Sequence, residues 1–167
     1  MKGLVVYMKN ENNYSEKLNN AIEETYQLIN KLEEQIVKNS SVDLTISEIH
    51  VVEAVAKNDT TESCTDTAGT KTISEIAQIL NITLPSVTIS INKLQKKGYV
   101  EKLKCKNDGR SVRVKLTKRG EKINNVHRHF HKKLVNNLVL NLTENEKECM
   151  LNGMLKLENF LKQNIKD

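Results

Sequence analysis

The chain has 167 residues, a length that fits one domain with appended helices rather than a string of domains. Hydrophobic residues make up 38% of it and aromatics 4%, a modest supply that suits helices completing their burial against a partner chain. The net charge of +5 hides an asymmetry: Ser90 to Lys133 holds 15 Lys/Arg against 3 Asp/Glu, a local +12, while the remainder carries −7, and a concentrated basic face points to a polyanion.

Residues 1–13 show no periodicity and read as a flexible N-terminal arm. Leu4-Val5-Val6 is too short for a signal segment or a membrane span, so a cytoplasmic, nucleoid-associated protein with no membrane partner is expected. From Tyr14, the residues Leu18, Ile22, Tyr26, Ile29, Leu32 and Ile36 recur at three- and four-residue steps, which predicts a long amphipathic helix ending near Ser40. Its apolar stripe needs a partner, and residues 14–43 are assigned to dimerisation. Thr45-x-x-Glu48, Thr72-x-x-Glu75 and Thr143-x-x-Glu146 are capping boxes that each announce a helix. Between the helices beginning at Ser47 and Ile73, residues 57–71 are small, polar and aperiodic, and read as an inserted exposed loop.

Residues 44–117 carry the most distinctive pattern. A short helix over Ile73–Leu80 is followed by the turn Asn81-Ile82-Thr83 and a second helix over Leu84–Lys97 that stops at Gly98. Two alternating segments, Tyr99–Cys105 and Ser111–Leu116, then enclose a polar tip. Helix, turn, helix, hairpin is the order of a winged helix-turn-helix, whose second helix enters the major groove of DNA. The fold class expected is therefore mainly α with a small β wing, flanked by long dimerisation helices, the last of them in residues 118–167.

On the second helix, Val87, Ile91 and Leu94 fall at core spacing, whereas Thr83, Pro85, Ser86, Thr88, Ile89 and Asn92 face outward. Hydroxyl and amide groups of this kind meet base edges, and Ile89 suits a thymine methyl. Lys93, Lys96 and Lys97 suit backbone phosphates, which position a protein without specifying sequence. In the wing, Asp108-Gly109-Arg110 permits a tight turn that offers Arg110 to a minor groove, with Lys106 and Arg113 assisting at the backbone. A winged-helix module used for protein contacts is the rival reading, and the local +12 favours DNA. No paired acid and base, nucleophile motif or phosphate-cradling Gly loop is present, so no enzyme and no required cofactor are expected. Cys64, Cys105 and Cys149 are widely spaced singles that suit ordinary thiols better than a disulfide frame or a structural zinc site.

Leu44-Thr45-x-x-Glu48, the segment Ile73 to Leu80, Val87-Thr88, Leu94-x-x-Lys97-Gly98-Tyr99-Val100, Asp108-Gly109-Arg110 and Leu116-Thr117-x-x-Gly120 resemble the successive signatures of the MarR family over roughly residues 14–165. The resemblance implies a homodimeric transcriptional repressor on inverted-repeat, double-stranded DNA operators, with a ligand held between the dimer helices and the reader. The 57–71 loop departs from the family pattern.

Two branches of that family compete through the histidines. Ile46-Ser47-x-x-His50, Val87-Thr88-x-Ser90-x-Asn92-x-Leu94 and His127-Arg128-x-Phe130-His131-Lys132 look closest to the FabT type, which implies control of fatty-acid synthesis with long-chain acyl-acyl carrier protein as corepressor. On this favoured reading Ile22, Ile29, His50, Val51, His127, Phe130 and His131 form the effector pocket, and no metal is needed. The alternative resembles the zinc-responsive MarR regulators, with His50, His127 and His131 as ligands. It also requires a carboxylate from the first helix, where Leu32 occupies the expected place and Glu33 and Glu34 are expected to face elsewhere. Hydrogen-bonded packing of the three histidines is a further alternative.

Overall fold

The computed structural model describes residues 2–39, 42–57, 69–104 and 112–165, with side chains from Asn13 onward. Among them the order is α1 (Lys2–Asn39), α2 (Ile46–Ala56), β1 (Lys71–Thr72), α3 (Ile73–Leu80), α4 (Leu84–Lys96), β2 (Val100–Lys104), β3 (Val112–Leu116), α5 (Lys118–Val139) and α6 (Glu144–Asn164). The chain divides into two compact units, Met1–Glu121 and Lys122–Asp167. The first takes in α1 and the start of α5, which the sequence reading assigned to separate dimerisation segments.

The helices begin where side-chain oxygens satisfy first-turn amides. Thr45, Thr72 and Thr143 each accept from the amide of Glu48, Glu75 and Glu146, and each of these carboxylates bonds back to its cap residue. Such a cap contributes about 1 kcal/mol to its helix. Asn81 closes α3 in the left-handed conformation at φ 51°, and Gly98 follows α4 at φ 76°, the region where a side chain is disfavoured. One expectation is corrected: helix α1 starts at Lys2, so most of residues 1–13 continues the helix rather than forming an aperiodic arm.

A three-stranded antiparallel sheet has the order β1-β3-β2. In its larger pair Val100 faces Leu116, Lys102 faces Val114 and Lys104 faces Val112. Strand β1, which the sequence reading missed, pairs Lys71 with Val114 and Thr72 with Arg113. Two residues are too few to display alternation.

The core of the first unit is filled from α2, α3, α4 and the sheet by Val52, Ile76, Val87, Ile91, Leu94, Tyr99 and Val114, all 1% exposed or less. The start of α5 is bonded to the turn after α4. Thr117 Oγ1 donates to Gly98 O at 2.7 Å and accepts from the Gly120 amide at 3.2 Å. A Cβ on Gly120 would lie 2.2 Å from Tyr99 O, so this approach admits no side chain. In the second unit α6 buries no residue and leaves Leu151, Met154, Phe160, Leu161 and Ile165 exposed. Along α1, Tyr14, Leu18, Ile22 and Tyr26 are likewise open to solvent.

Candidate nucleic-acid interface

Helix α4 has one face in the core and the other in solvent. Val87, Ile91 and Leu94 anchor it, and Pro85, Ser86, Thr88, Ile89, Asn92, Lys93 and Lys96 are exposed on the remaining surface, Ile89 at 56%. Thr83, the exposed N-cap, accepts from the Ser86 amide at 3.4 Å, and the two hydroxyls lie 2.9 Å apart. Thr88 Oγ1 donates to Leu84 O at 2.8 Å, which leaves its oxygen to accept. Helices α2, α3 and α6 carry Glu at the third position, but α4 has Ser86 there and no acid in its first turn. The positive end of its dipole is thus uncompensated locally. The face as a whole offers hydroxyl, amide, apolar and cationic groups without a carboxylate.

The basic surplus is only partly available to a ligand. Lys97, read from sequence as a phosphate contact, turns inward. Its ammonium donates to Asp43 O at 2.6 Å and to both Glu48 oxygens at 3.0 and 2.9 Å. Arg113 is half-buried and donates to Thr70 O and Oγ1 at 3.3 and 3.2 Å, so it ties β3 to the chain before β1 instead of standing out for a phosphate. Lys115 pairs with Glu101 across the strands at 2.9 Å. Arg119 lies 4.2 Å above the Tyr99 ring and reaches Asp43 Oδ1 at 3.2 Å. On α4 and at the first residue of α5, Lys93, Lys96 and Lys118 are exposed. The wing-tip residues Lys106, Asp108 and Arg110 lie outside the described residues, as do Cys64 and most of the 57–71 loop.

These inner pairings tune their acids. The Tyr99 hydroxyl, at 2.7 Å, is the main cause that lowers the Asp43 carboxyl below its usual range, with Arg119 and Lys97 assisting. Burial pushes Glu48 up, but the Thr45 amide and the Lys97 ammonium outweigh it, and the net shift is downward. Burial, then the bond to Asp43, raises the Tyr99 phenol.

The expected effector residues fall into two groups. In the first unit Val51 is 3% exposed within the α2 core, Ile29 is half-buried and Ile22 is 48% exposed. Contrary to expectation, Glu33 is buried and faces His50, with Oε2 3.8 Å from Nε2. The simple helical stripe that placed Leu32 inward misjudged which flank of α1 meets α2. In the second unit His127 is buried, and its Nε2 lies 3.2 Å from that of His131. The two rings meet edge-on, with Phe130 against His131.

Lys102 is a residue of the reader that the sequence reading did not single out. Its ammonium reaches from β2 to the Asn92 side-chain carbonyl on α4. Nothing in the spacing signals this, since the two belong to different elements and meet only after the turn at Gly98 closes.

A family model described as MarR family matches residues 63–112. The uncharacterized HTH-type transcriptional regulator YfiV of Bacillus subtilis (strain 168) is 32% identical over 100 residues, 59% of this chain. That match spans 62% of YfiV, less than two thirds of its length. Among solved structures, Streptococcus pneumoniae FabT in complex with DNA is similar with a TM-score of 0.79 and 29% identity, over 89% of this chain and 97% of that one. A cysteine-to-serine mutant of E. coli MarR complexed with operator DNA gives a TM-score of 0.60 at 26% identity, over 84% of this chain and 95% of that one. No helix among the described residues is long and apolar enough to cross a membrane.

Proposed function

We propose, from the premise that the chain carries the winged helix-turn-helix of the MarR family, that it is a DNA-binding transcriptional regulator acting as a homodimeric repressor on inverted-repeat operators. The observation that carries this reading is the outward face of α4, with exposed Ser86, Ile89, Asn92, Lys93 and Lys96 and no acid. It stands on a fold shared with FabT bound to DNA. In this reading α4 lies in the major groove and Arg110 reaches a minor groove. A gel shift tests it. Affinity for the operator should fall steeply with salt, each neutralised phosphate adding a slope of about −0.9 in log K against log salt; binding indifferent to salt would sink the DNA reading.

For the signal, we propose long-chain acyl-acyl carrier protein acting on genes of fatty-acid synthesis. The support is the likeness to FabT together with apolar residues of α1, α2 and α5, among them Ile22, Ile29, Val51 and Phe130. A second reading, with zinc as the signal, draws on two pairs that each offer metal-binding atoms, Glu33 with His50 in the first unit and His127 with His131 in the second. Native mass spectrometry of the protein as isolated decides between them. A retained acyl chain favours the lipid. Bound zinc that is lost in His127→Ala favours the metal.

A further inference from the structure

We infer that Lys102 sets the base preference of Asn92, holding its amide so that the NH2 group, and not the carbonyl, is offered to a base. The inference rests on the DNA reading above and goes a step further, to the chemistry of one base-pair position.

A lysine ammonium has three N–H donors and no acceptor. The group of Asn92 that faces Lys102 is therefore the carbonyl oxygen, and the orientation of the amide follows from chemistry. With Oδ1 drawn toward β2, Nδ2 points the other way, across the outer surface of α4. Asn92 is exposed there on the side opposite Val87, Ile91 and Leu94, together with Pro85, Ile89 and Lys96. Lys102 is itself half-buried, and its neighbours in the ladder, Glu101 and Leu103, are held in register with Lys115 and Arg113. The anchor thus stands on the sheet and not on a loop.

An unconstrained asparagine on a recognition helix pairs with adenine through both amide atoms, giving a proton to N7 and accepting one from N6. Asn92 held by Lys102 keeps only the donor half of that pair. Guanine, with acceptors at both O6 and N7, and thymine, with O4, then suit it best. Adenine loses one of its two bonds, and cytosine presents a donor against a donor. A good base contact discriminates by roughly fivefold to a hundredfold.

The test is selection of bound duplexes from a randomised pool by the full chain, comparing wild type with Asn92→Ala, Lys102→Met and Lys102→Arg. The Asn92→Ala protein identifies the base-pair position concerned. Wild type should enrich guanine or thymine there. Lys102→Met, which releases the amide to turn, should shift that one position toward adenine and leave the others alone. Lys102→Arg, also a pure donor, should keep the wild-type preference. Adenine preferred by wild type at that position overturns the inference, and so does a Lys102→Met protein that weakens every sequence equally. A wild-type protein that enriches no sequence overturns the DNA reading itself. Enrichment that is the same in all four proteins overturns the inference, the Asn92 contact and the role of Lys102 together, and leaves the DNA reading standing.

Discussion

At the end of α4 a single ammonium serves three oxygens from α2 and the residues before it: the Asp43 carbonyl and both oxygens of Glu48. Glu48 also holds the Thr45 amide at 2.9 Å, so the cap of α2 and the last turn of α4 share one carboxylate. Its pKa lies below the ordinary 4.5 in the folded chain. A depressed carboxylate stabilises the fold above its unfolded value, and that contribution is lost as pH falls through the folded one. Thermal stability should therefore fall below about pH 4.5 in the wild type. In Glu48→Gln that part of the acid dependence should flatten, with a loss at neutral pH of about 1–3 kcal/mol because Lys97 loses its counter-charge. Parallel acid limbs in the two proteins would remove Glu48 from this role. The sequence showed the Thr45–Glu48 box but not Lys97, which sits 49 residues further on. A lysine at the end of an exposed-looking helix carries no local sign that it turns inward.

At the scale of elements, the parts written in short-range code were legible. Capping boxes, the stop at Gly98 and the apolar spacing of Val87, Ile91 and Leu94 all depend on neighbours within a turn or two. Helices α2, α3 and α4 and the strands β2 and β3 fall within a residue or so of their expected bounds for that reason. The failures share the opposite cause. The first turns of α1 lack an apolar period, yet a helix once nucleated extends through residues without a stripe at little further cost. Strand β1 exists because β3 offers it an edge, not because Lys71-Thr72 prefers extension. The Asn92–Lys102 bond and the burial of Glu33 likewise depend on how elements meet. The candidate reader face was readable residue by residue, but which of its neighbouring cations would be drawn into the fold was not.

For the whole molecule, the exposed apolar residues are the main fact still requiring a cause. Tyr14, Leu18, Ile22 and Tyr26 on α1, Val126, Val135 and Leu138 on α5, and Leu151, Met154, Leu155 and Leu161 on α6 recur at helical spacing and are each more than two-fifths exposed. Scattered surface apolars need no explanation, whereas stripes on three helices do. The proposed homodimer supplies it. Its stability is then tied to protomer concentration, and the thermal midpoint should rise across about a hundredfold range of protein concentration. A midpoint that stays constant, with a monomer mass in solution, would leave the stripes without that partner.

The joint at Thr117 and Gly120 also bears on how such proteins can be recombined. Because the start of α5 is fixed to the Gly98–Tyr99 turn through the Thr117 hydroxyl and amide and a glycine that tolerates no Cβ, the helix-turn-helix and wing cannot be cut away at the last strand. A chimera that transplants this helix-turn-helix and wing onto foreign C-terminal helices has to carry Thr117, Arg119 and Gly120 with it and splice beyond Glu121.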